Sequence, residues 1–558
     1  MGSLSLPDVY ERISQIFDPP VTRPLLTRAL EKLDESFDRN NGKVLVFLEA
    51  PTGYGKSTLS LVLYAAIKLG RFDLGQRVIH VLPLRSIGTD LRQKSIERIS
   101  RLRSAVGGEF AKLEESDVGL QQMHSPGSPM LCKRFVVTTL DTFVTSFYKM
   151  PASEYHKLFS KGTAHYEVPR ACIYTSVVVF DEFHLYLSSR ALEEGTSKSL
   201  TAAVACIRSL LEAGVPVLIM TATMPKVVKD AVLRKLQIAG LEGSVVEVVP
   251  SGDDFQPVKR NIRVEAVDGD PVSLLQQLGN RSRVLLVFNT VGMAVETYMR
   301  LKELGYSPVL LHSRIVERER QRRLERMLEK NGGGVFVTTQ VVEAGVDVSF
   351  DVLITEAAPP DSLLQRAGRV ARYGGEGDVF VLPLTEGGRS VYGEELPNRA
   401  FEYVSKNRRL DAGILKIVDE VCGGRNLIDH LIDRAYFNLL SDTDNYLSCS
   451  HKFAMKIWKA YCGFVRDGEQ IPVIPRKYLN GNPDLQDNVF TVDEELFVRL
   501  LERKGEIEFL KESLELDEMK RDQLGRLRRE DCIGSEFLRK GIVAVILDDY
   551  DEEVGYVG

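Results

Sequence analysis

Short apolar runs recur along the first 385 residues, each stopping at a polar or glycine-containing loop. Val44-Leu45-Val46-Phe47-Leu48, Val177-Val178-Val179-Phe180 and Val217-Leu218-Ile219-Met220 set the pattern. Val284 to Phe288, Pro308 to Leu311, Gly334 to Thr339 and Val352 to Thr355 repeat it. Runs this short, without polar alternation, predict strands buried on both faces, as in parallel sheets. Thr58 to Ala66 predicts a helix directly after the first strand. The alternation breaks between residues 250 and 262, where Pro250-Ser251-Gly252-Asp253-Asp254 and Pro257 predict a linker. The expected class is therefore α/β, with two tandem parallel-sheet domains at 1–255 and 256–385. Beyond that, Asn426 to Leu440 and Phe490 to Arg529 read as helices and Ile542 to Leu547 as a strand. Residues 386–558 are expected to form a mostly helical C-terminal accessory domain.

Composition narrows the class slightly. A chain of 558 residues has room for three domains. No apolar run approaches the ~20 residues that span a bilayer, and Met1 to Gln15 lacks a signal pattern. The seven cysteines stand singly at 132, 172, 206, 422, 449, 462 and 532. An odd count without C-x-x-C predicts a reduced, cytoplasmic protein with no zinc or iron–sulfur site. The net charge of −6 gives no bulk attraction for nucleic acid. It leaves room for a local basic groove, because phosphate attraction is set by the charges lining the site.

The chemistry concentrates at three places. Ala50-Pro51-Thr52-Gly53-Tyr54-Gly55-Lys56-Ser57 lies between a predicted strand and a predicted helix, the setting a phosphate loop requires. Its glycines let backbone N–H groups turn onto phosphates, and the helix N-terminus adds its positive end. Lys56 is expected to reach the β- and γ-phosphates of ATP, and Ser57 to hold Mg²⁺. Thr52, Gly53, Gly55 and Thr58 complete the candidate nucleotide-binding set. Ala50 stands where the general pattern has Gly. Asp181-Glu182 then closes the second apolar run. Adjacent carboxylates at a strand end suit a metal ligand, Asp181, beside a general base for water, Glu182. His184 is placed to sense the γ-phosphate or a neighbouring motif.

The third place is Gln365-Arg366-Ala367-Gly368-Arg369-Val370-Ala371-Arg372. The second sheet carries no phosphate loop, so Arg369 and Arg372 need another reason to be there. Three residues apart, they are expected to share a helix face and act as arginine fingers on a phosphoryl group. An isolated R-x-x-R is ordinarily a surface ion-pairing motif; the longer string argues for the finger role. Arg318 to Lys330 is also arginine-rich, but its glutamates predict an ion-paired helix. Trp458 and Tyr461 are expected to be core rather than a base-stacking platform.

The ordered set resembles a superfamily 2 DExH-box helicase. Ala50 to Ser57 matches motif I, Pro83-Leu84-Arg85 Ia, Thr138 to Asp141 Ib and Asp181 to His184 II. Thr221-Ala222-Thr223-Met224-Pro225 matches III, Phe288-Asn289-Thr290 IV, Thr338 through Asp347 V and Gln365 to Arg372 VI. The longer strings V-V-F-D-E-F-H-L-Y, T-A-T-M-P, L-L-H-S-R and V-V-E-A-G-V-D-V are similar to the CRISPR-associated helicase of type I interference. That resemblance implies two RecA-like domains and 3′→5′ movement on single-stranded DNA. It also implies unwinding of target opened by a CRISPR guide-RNA surveillance complex. It places Gln365, Gly345 and Asp347 on the ATP side, makes Thr221 and Thr223 couplers, and makes Arg85, Thr139, His312, Ser313, Arg314 and Thr338 backbone contacts for the tracked strand. The accessory domain would close over the nucleic-acid channel. Many members carry an HD nuclease. None of the eight histidines here is followed by Asp, and only ~40 residues precede the phosphate loop, too few for such a domain. The implied arrangement is a split, type I-A form with a separate HD nuclease subunit. A DNA-repair or RNA helicase, and an ATP-gated clamp that recruits a nuclease without unwinding, remain open alternatives at this level.

Overall fold

The computed structural model describes residues 4–18, 20–51, 53–122, 125–187, 191–192, 195–222, 224–237, 243–251, 254, 260–279, 283–329, 332–343, 347–424, 430–446, 451–465, 470–479, 485, 487–511, 513–520 and 533–558. They form two units. The first comprises Met1–Gln256 with Asn426–Arg466, and the second Pro257–Arg425 with Asp467–Gly558. Residues 386–558, expected as a single accessory domain, are thus divided between the units.

The first unit is built on an eight-stranded sheet. Its strands are β1 (Leu45–Glu49), β2 (Arg77–Leu82), β3 (Val118–Gln122), β4 (Ser125–Pro126), β5 (Phe135–Thr139), β6 (Ser176–Phe180), β7 (Val217–Thr221) and β8 (Val245–Val248). The order is β4-β3-β5-β2-β6-β7-β1-β8. Every pairing is parallel except the short β3–β4 hairpin. The central strands are wholly buried, which is why their sequences run apolar without alternation. Asn426–Arg466 adds helices to this unit. Asp433 N–H donates to Thr201 Oγ1 at 3.1 Å, and the rings of Tyr148 and Phe464 lie 5.1 Å apart. Trp458 is buried against Phe159 and Tyr155 as core, while Tyr461 stacks on Tyr436 at 4.6 Å.

The second unit holds a six-stranded, all-parallel sheet of β9 (Arg260–Ala266), β10 (Arg283–Val287), β11 (Val309–Leu311), β12 (Gly334–Thr338), β13 (Val352–Glu356) and β14 (Gly375–Leu382). Its order is β11-β12-β10-β13-β14-β9. The helix at Glu317–Leu328 forms as expected, with ion pairs Glu317–Arg320 and Glu319–Arg322 spaced by three residues rather than four. A third sheet also belongs here: β15 (Gln470–Pro475), β16 (Phe490–Asp493), β17 (Glu506–Lys511), β18 (Leu516–Lys520) and β19 (Ile542–Leu547). The long helix expected over 490–529 is therefore corrected. Residues 512 and 521–529 lie outside the described residues; among the described residues of that span the helix covers Glu494–Lys504. Asp493 caps its start by accepting Leu496 N–H at 2.7 Å, and Gly505, left-handed at φ 76°, ends it. β17 and β18 then pair antiparallel around a core of Phe497, Phe509 and Phe537. No helix among the described residues is long and apolar enough to cross a membrane. The wholly reduced cysteine set expected from sequence is also corrected, because Cys462 is disulfide-bonded; Cys132, Cys172, Cys206 and Cys422 are thiols.

Candidate functional site

In the first unit the expected phosphate loop joins β1 to a helix at Thr58–Leu69. Gly53 and Gly55 both take left-handed backbone, φ 82° and 84°, which a side chain at either position would strain. Ala50 N–H donates to Thr221 O at 3.0 Å, tying the loop to the end of β7. Lys56 is buried, and its ammonium donates to Ala50 O at 3.0 Å and Pro51 O at 3.4 Å. Ser57 makes no side-chain capping bond to the helix that follows it. Thr52 and Thr223 lie outside the described residues.

Asp181 and Glu182 leave the end of β6. Asp181 Oδ1 accepts the Glu182 N–H at 2.8 Å. Burial alone would raise the Asp181 carboxyl, but contact with His80, the charge of Lys56 and the Glu182 N–H outweigh it, and the group is held below its ordinary range. Glu182 adopts φ 47°, a conformation a glutamate rarely accepts without function. Its Oε2 is buried with no hydrogen-bond partner among the described residues. His184 Nδ1 lies 3.0 Å from Thr221 Oγ1, so the second and third motifs touch. Burial, helped by Lys56, pushes His184 below its usual value and keeps it neutral near pH 7.

These residues fit ATP with Mg²⁺. Mg²⁺ is ordinarily held by one or two protein oxygens plus substrate phosphates rather than by a protein cage. An ionised Asp181 and the Ser57 hydroxyl supply that kind of set, and no group of three or more metal-ligating side chains exists among the described residues.

The sixth-motif arginines lie in the second unit, and their setting differs from expectation. The helix Pro360–Ala367 ends before them, because Gly368 caps it and Val370 bridges to Phe350. Ala371 takes φ 45°. Arg369 and Arg372 therefore sit on a turn and do not share a helix face. Arg369 Nη2 donates to Glu343 O at 2.6 Å, and Arg372 Nε pairs with Asp347 Oδ1 at 2.9 Å. Gln365 is half-buried on the helix, and Gly345 lies outside the described residues.

Sequence reasoning missed the arginine that follows Gln365, Arg366. Arg366 is fully buried and joins five elements of this unit. It contacts Glu343 Oε1 at 2.7–2.8 Å, Thr355 Oγ1 at 2.9 Å, Glu356 O at 3.2 Å, Asn289 Oδ1 at 3.0 Å and Tyr392 OH at 3.3 Å. Burial and the Glu343 charge raise nearby Asp361 to about 6. Nothing in the local string separates Arg366 from its neighbours; its acidic partner is 23 residues away.

The candidate nucleic-acid contacts scatter. Thr139 is buried and caps the helix Leu140–Phe147, and Thr338 is buried with its hydroxyl on Thr339 O. Arg85 is half-buried at the start of the helix Arg85–Arg101. His312 is buried, with Nε2 2.9 Å from Val554 O, and Arg314 Nη1 donates to Val557 O at 2.9 Å. Ser313, between them, is exposed. The C-terminal segment thus lies over His312 and Arg314.

Comparison with known proteins shows two matched stretches. Residues 36–231 match the DEAD/DEAH box helicase family, and residues 280–375 match the C-terminal part of the CRISPR-associated nuclease/helicase Cas3 family. Over both stretches the chain is similar to the Cas3-like helicases. The CRISPR-associated nuclease/helicase Cas3 of Methanothermobacter thermautotrophicus is 28% identical over 355 residues, covering 59% of this chain and 39% of that protein. The CRISPR-associated helicase Cas3 of Thermoproteus tenax is 27% identical over 364 residues, covering 63% and 57%. This Cas3-like chain therefore spans about two fifths to three fifths of these relatives. The crystal structure of T. fusca Cas3 with ATP shares its fold, at TM-score 0.59 and 16% identity over 86% of this chain and 64% of that one.

Proposed function

We propose that the chain is an ATP-dependent translocase and helicase that moves 3′→5′ on single-stranded DNA. It would unwind target DNA in type I CRISPR interference, in the cytoplasm, with a guide-RNA surveillance complex and a separate HD nuclease subunit. The observation that carries the ATP-hydrolysing core of this reading is Glu182. Its strained backbone holds a buried carboxylate oxygen that makes no hydrogen bond among the described residues and lies 3.7 Å from His184 Nδ1, beside an ionised Asp181 and next to a phosphate loop. That arrangement has a use if the carboxylate takes a proton from water. Structures of similar fold support the wider reading: a T. fusca Cas3 crystallised with ATP, and a chain within a CRISPR RNA-guided surveillance complex.

In this mechanism the loop N–H groups and Lys56 bind the phosphates. Ser57 and Asp181 hold Mg²⁺, which when bound neutralises charge on the transferring phosphoryl group. Glu182 orients and deprotonates the attacking water, and His184 carries the event to the third motif through Thr221. Arg369 and Arg372 stabilise transition-state charge, with Asp347 orienting Arg372.

The test is hydrolysis and displacement together. Wild-type protein should hydrolyse ATP in response to single-stranded DNA and displace duplexes with 3′ tails. Lys56→Ala should abolish both, and neither protein should cut DNA with Mg²⁺, Mn²⁺ or Ni²⁺. Hydrolysis without displacement would identify a clamp. Preference for RNA duplexes would identify an RNA helicase.

A further inference from the structure

One buried histidine in the first unit has no part in that reaction. His80 lies in the middle of β2 with no solvent exposure, between the buried apolar residues Ile79 and Val81. An imidazole there is costly to bury unless both nitrogens have partners. Nδ1 lies 2.7 Å from Ser60 Oγ, which is itself fully buried on the helix that follows the phosphate loop. Nε2 lies 3.3 Å from Asp181 Oδ2, oblique to a straight hydrogen bond. The Ser60 hydroxyl can donate to Nδ1, and the ring proton then sits on Nε2, facing the carboxylate. The other oxygen of Asp181 is fixed by the Glu182 N–H.

A carboxylate at a strand end can turn about its last bond. A metal shared with phosphates binds well only when an oxygen is already aimed at it. We propose that His80, oriented by Ser60, is a positioning residue that fixes the Asp181 carboxylate for the metal of the bound nucleotide. The chain of contacts runs from the phosphate-loop helix through β2 to the end of β6, so the two halves of the site are set against each other from behind. This inference rests on the ATP–Mg²⁺ reading above.

The test uses the full chain carrying His80→Leu, His80→Gln or Ser60→Ala. The leucine keeps bulk without a donor, and the glutamine keeps a donor at similar reach. ATP affinity is measured in EDTA, and Mn²⁺ affinity by electron paramagnetic resonance with a non-hydrolysable ATP analogue; kcat and the thermal midpoint are also measured. His80→Leu should leave metal-free ATP binding within about twofold while weakening Mn²⁺ roughly 10- to 100-fold, with kcat falling alongside. His80→Gln should recover most of the metal affinity, and Ser60→Ala should lose about threefold or more. Wild-type Mn²⁺ affinity in His80→Leu would overturn the proposal. So would parallel losses of metal-free binding, metal binding and thermal midpoint in both His80 variants, which mark a merely structural residue. If His80→Leu does not fold, unchanged Mn²⁺ affinity in Ser60→Ala together with lost affinity in His80→Gln overturns it. A wild-type chain whose ATP binding ignores metal would instead refute the ATP–Mg²⁺ reading.

Discussion

Acidification from pH 7 to pH 5 should loosen the C-terminal segment from the rest of the second unit by about 2 kcal/mol, through His312. Its Nε2 faces Val554 O at 2.9 Å, and its Nδ1 accepts the Arg314 N–H at 3.2 Å. Those roles need the neutral ring with its proton on Nε2, because a second proton on Nδ1 would meet another donor. Burial, helped by the charges of Arg314 and Arg323, pushes the group down to about 4, against the opposing pull of the Val554 carbonyl. When the segment lifts and His312 meets water, the ring should take up a proton near its ordinary ~6.5. The closed form refuses that proton until about pH 4. Stability is therefore complete above about 6.5 and falls between there and about 4, with a full span of ~3.4 kcal/mol and ~2 kcal/mol of it gone at pH 5. Amide exchange of Tyr556, whose N–H donates to Arg314 O at 3.0 Å, reports the opening directly. After correction for intrinsic exchange, protection should drop roughly 30-fold in the wild type and stay nearly level in His312→Gln. An equal pH response in both proteins would refute the reasoning.

Arg366→Met should destabilise the second unit by about 3–5 kcal/mol, since it strands the buried Glu343 carboxylate beside Asp361; denaturant unfolding followed by a probe in that unit checks it. Arg366→Lys should recover little, because a point charge cannot span the same fork of acceptors. Arg369→Ala and Arg372→Ala should each lower kcat by ~10³-fold with modest change in nucleotide affinity. Steady-state ATPase and nucleotide Kd at fixed salt test this, and collapse of DNA affinity with kcat intact would make them groove residues instead.

What could be read from the chain was local chemistry. The phosphate loop and the Asp181–Glu182 pair announce themselves, because few residues can do their work and each follows a strand too apolar for other uses. His80 was legible in principle: a lone polar residue inside a buried strand needs a partner. Arg366 was not, because Arg369 is buried too and what sets Arg366 apart is an acidic partner, Glu343, 23 residues away on another element. The helix expected over 490–529 failed for a related reason. Its apolar spacing continues past Gly505, but the left-handed turn there redirects the same residues into paired strands. The division of 386–558 between two units was invisible because surface complementarity leaves no periodic trace.

That division has a consequence for biosynthesis. Residues 1–256 leave the ribosome roughly 170 residues before Asn426–Arg466 is made, an interval on the order of ten seconds or more at ~5–20 residues per second. During that time Ser197, Thr201 and the ring of Tyr148 lack the partners they have in the finished protein, Leu431, Asp433 and Phe464. The nascent first unit therefore carries an uncovered aromatic surface around Tyr148, Tyr155 and Phe159, a site for chaperone capture or for association between neighbouring chains on one messenger.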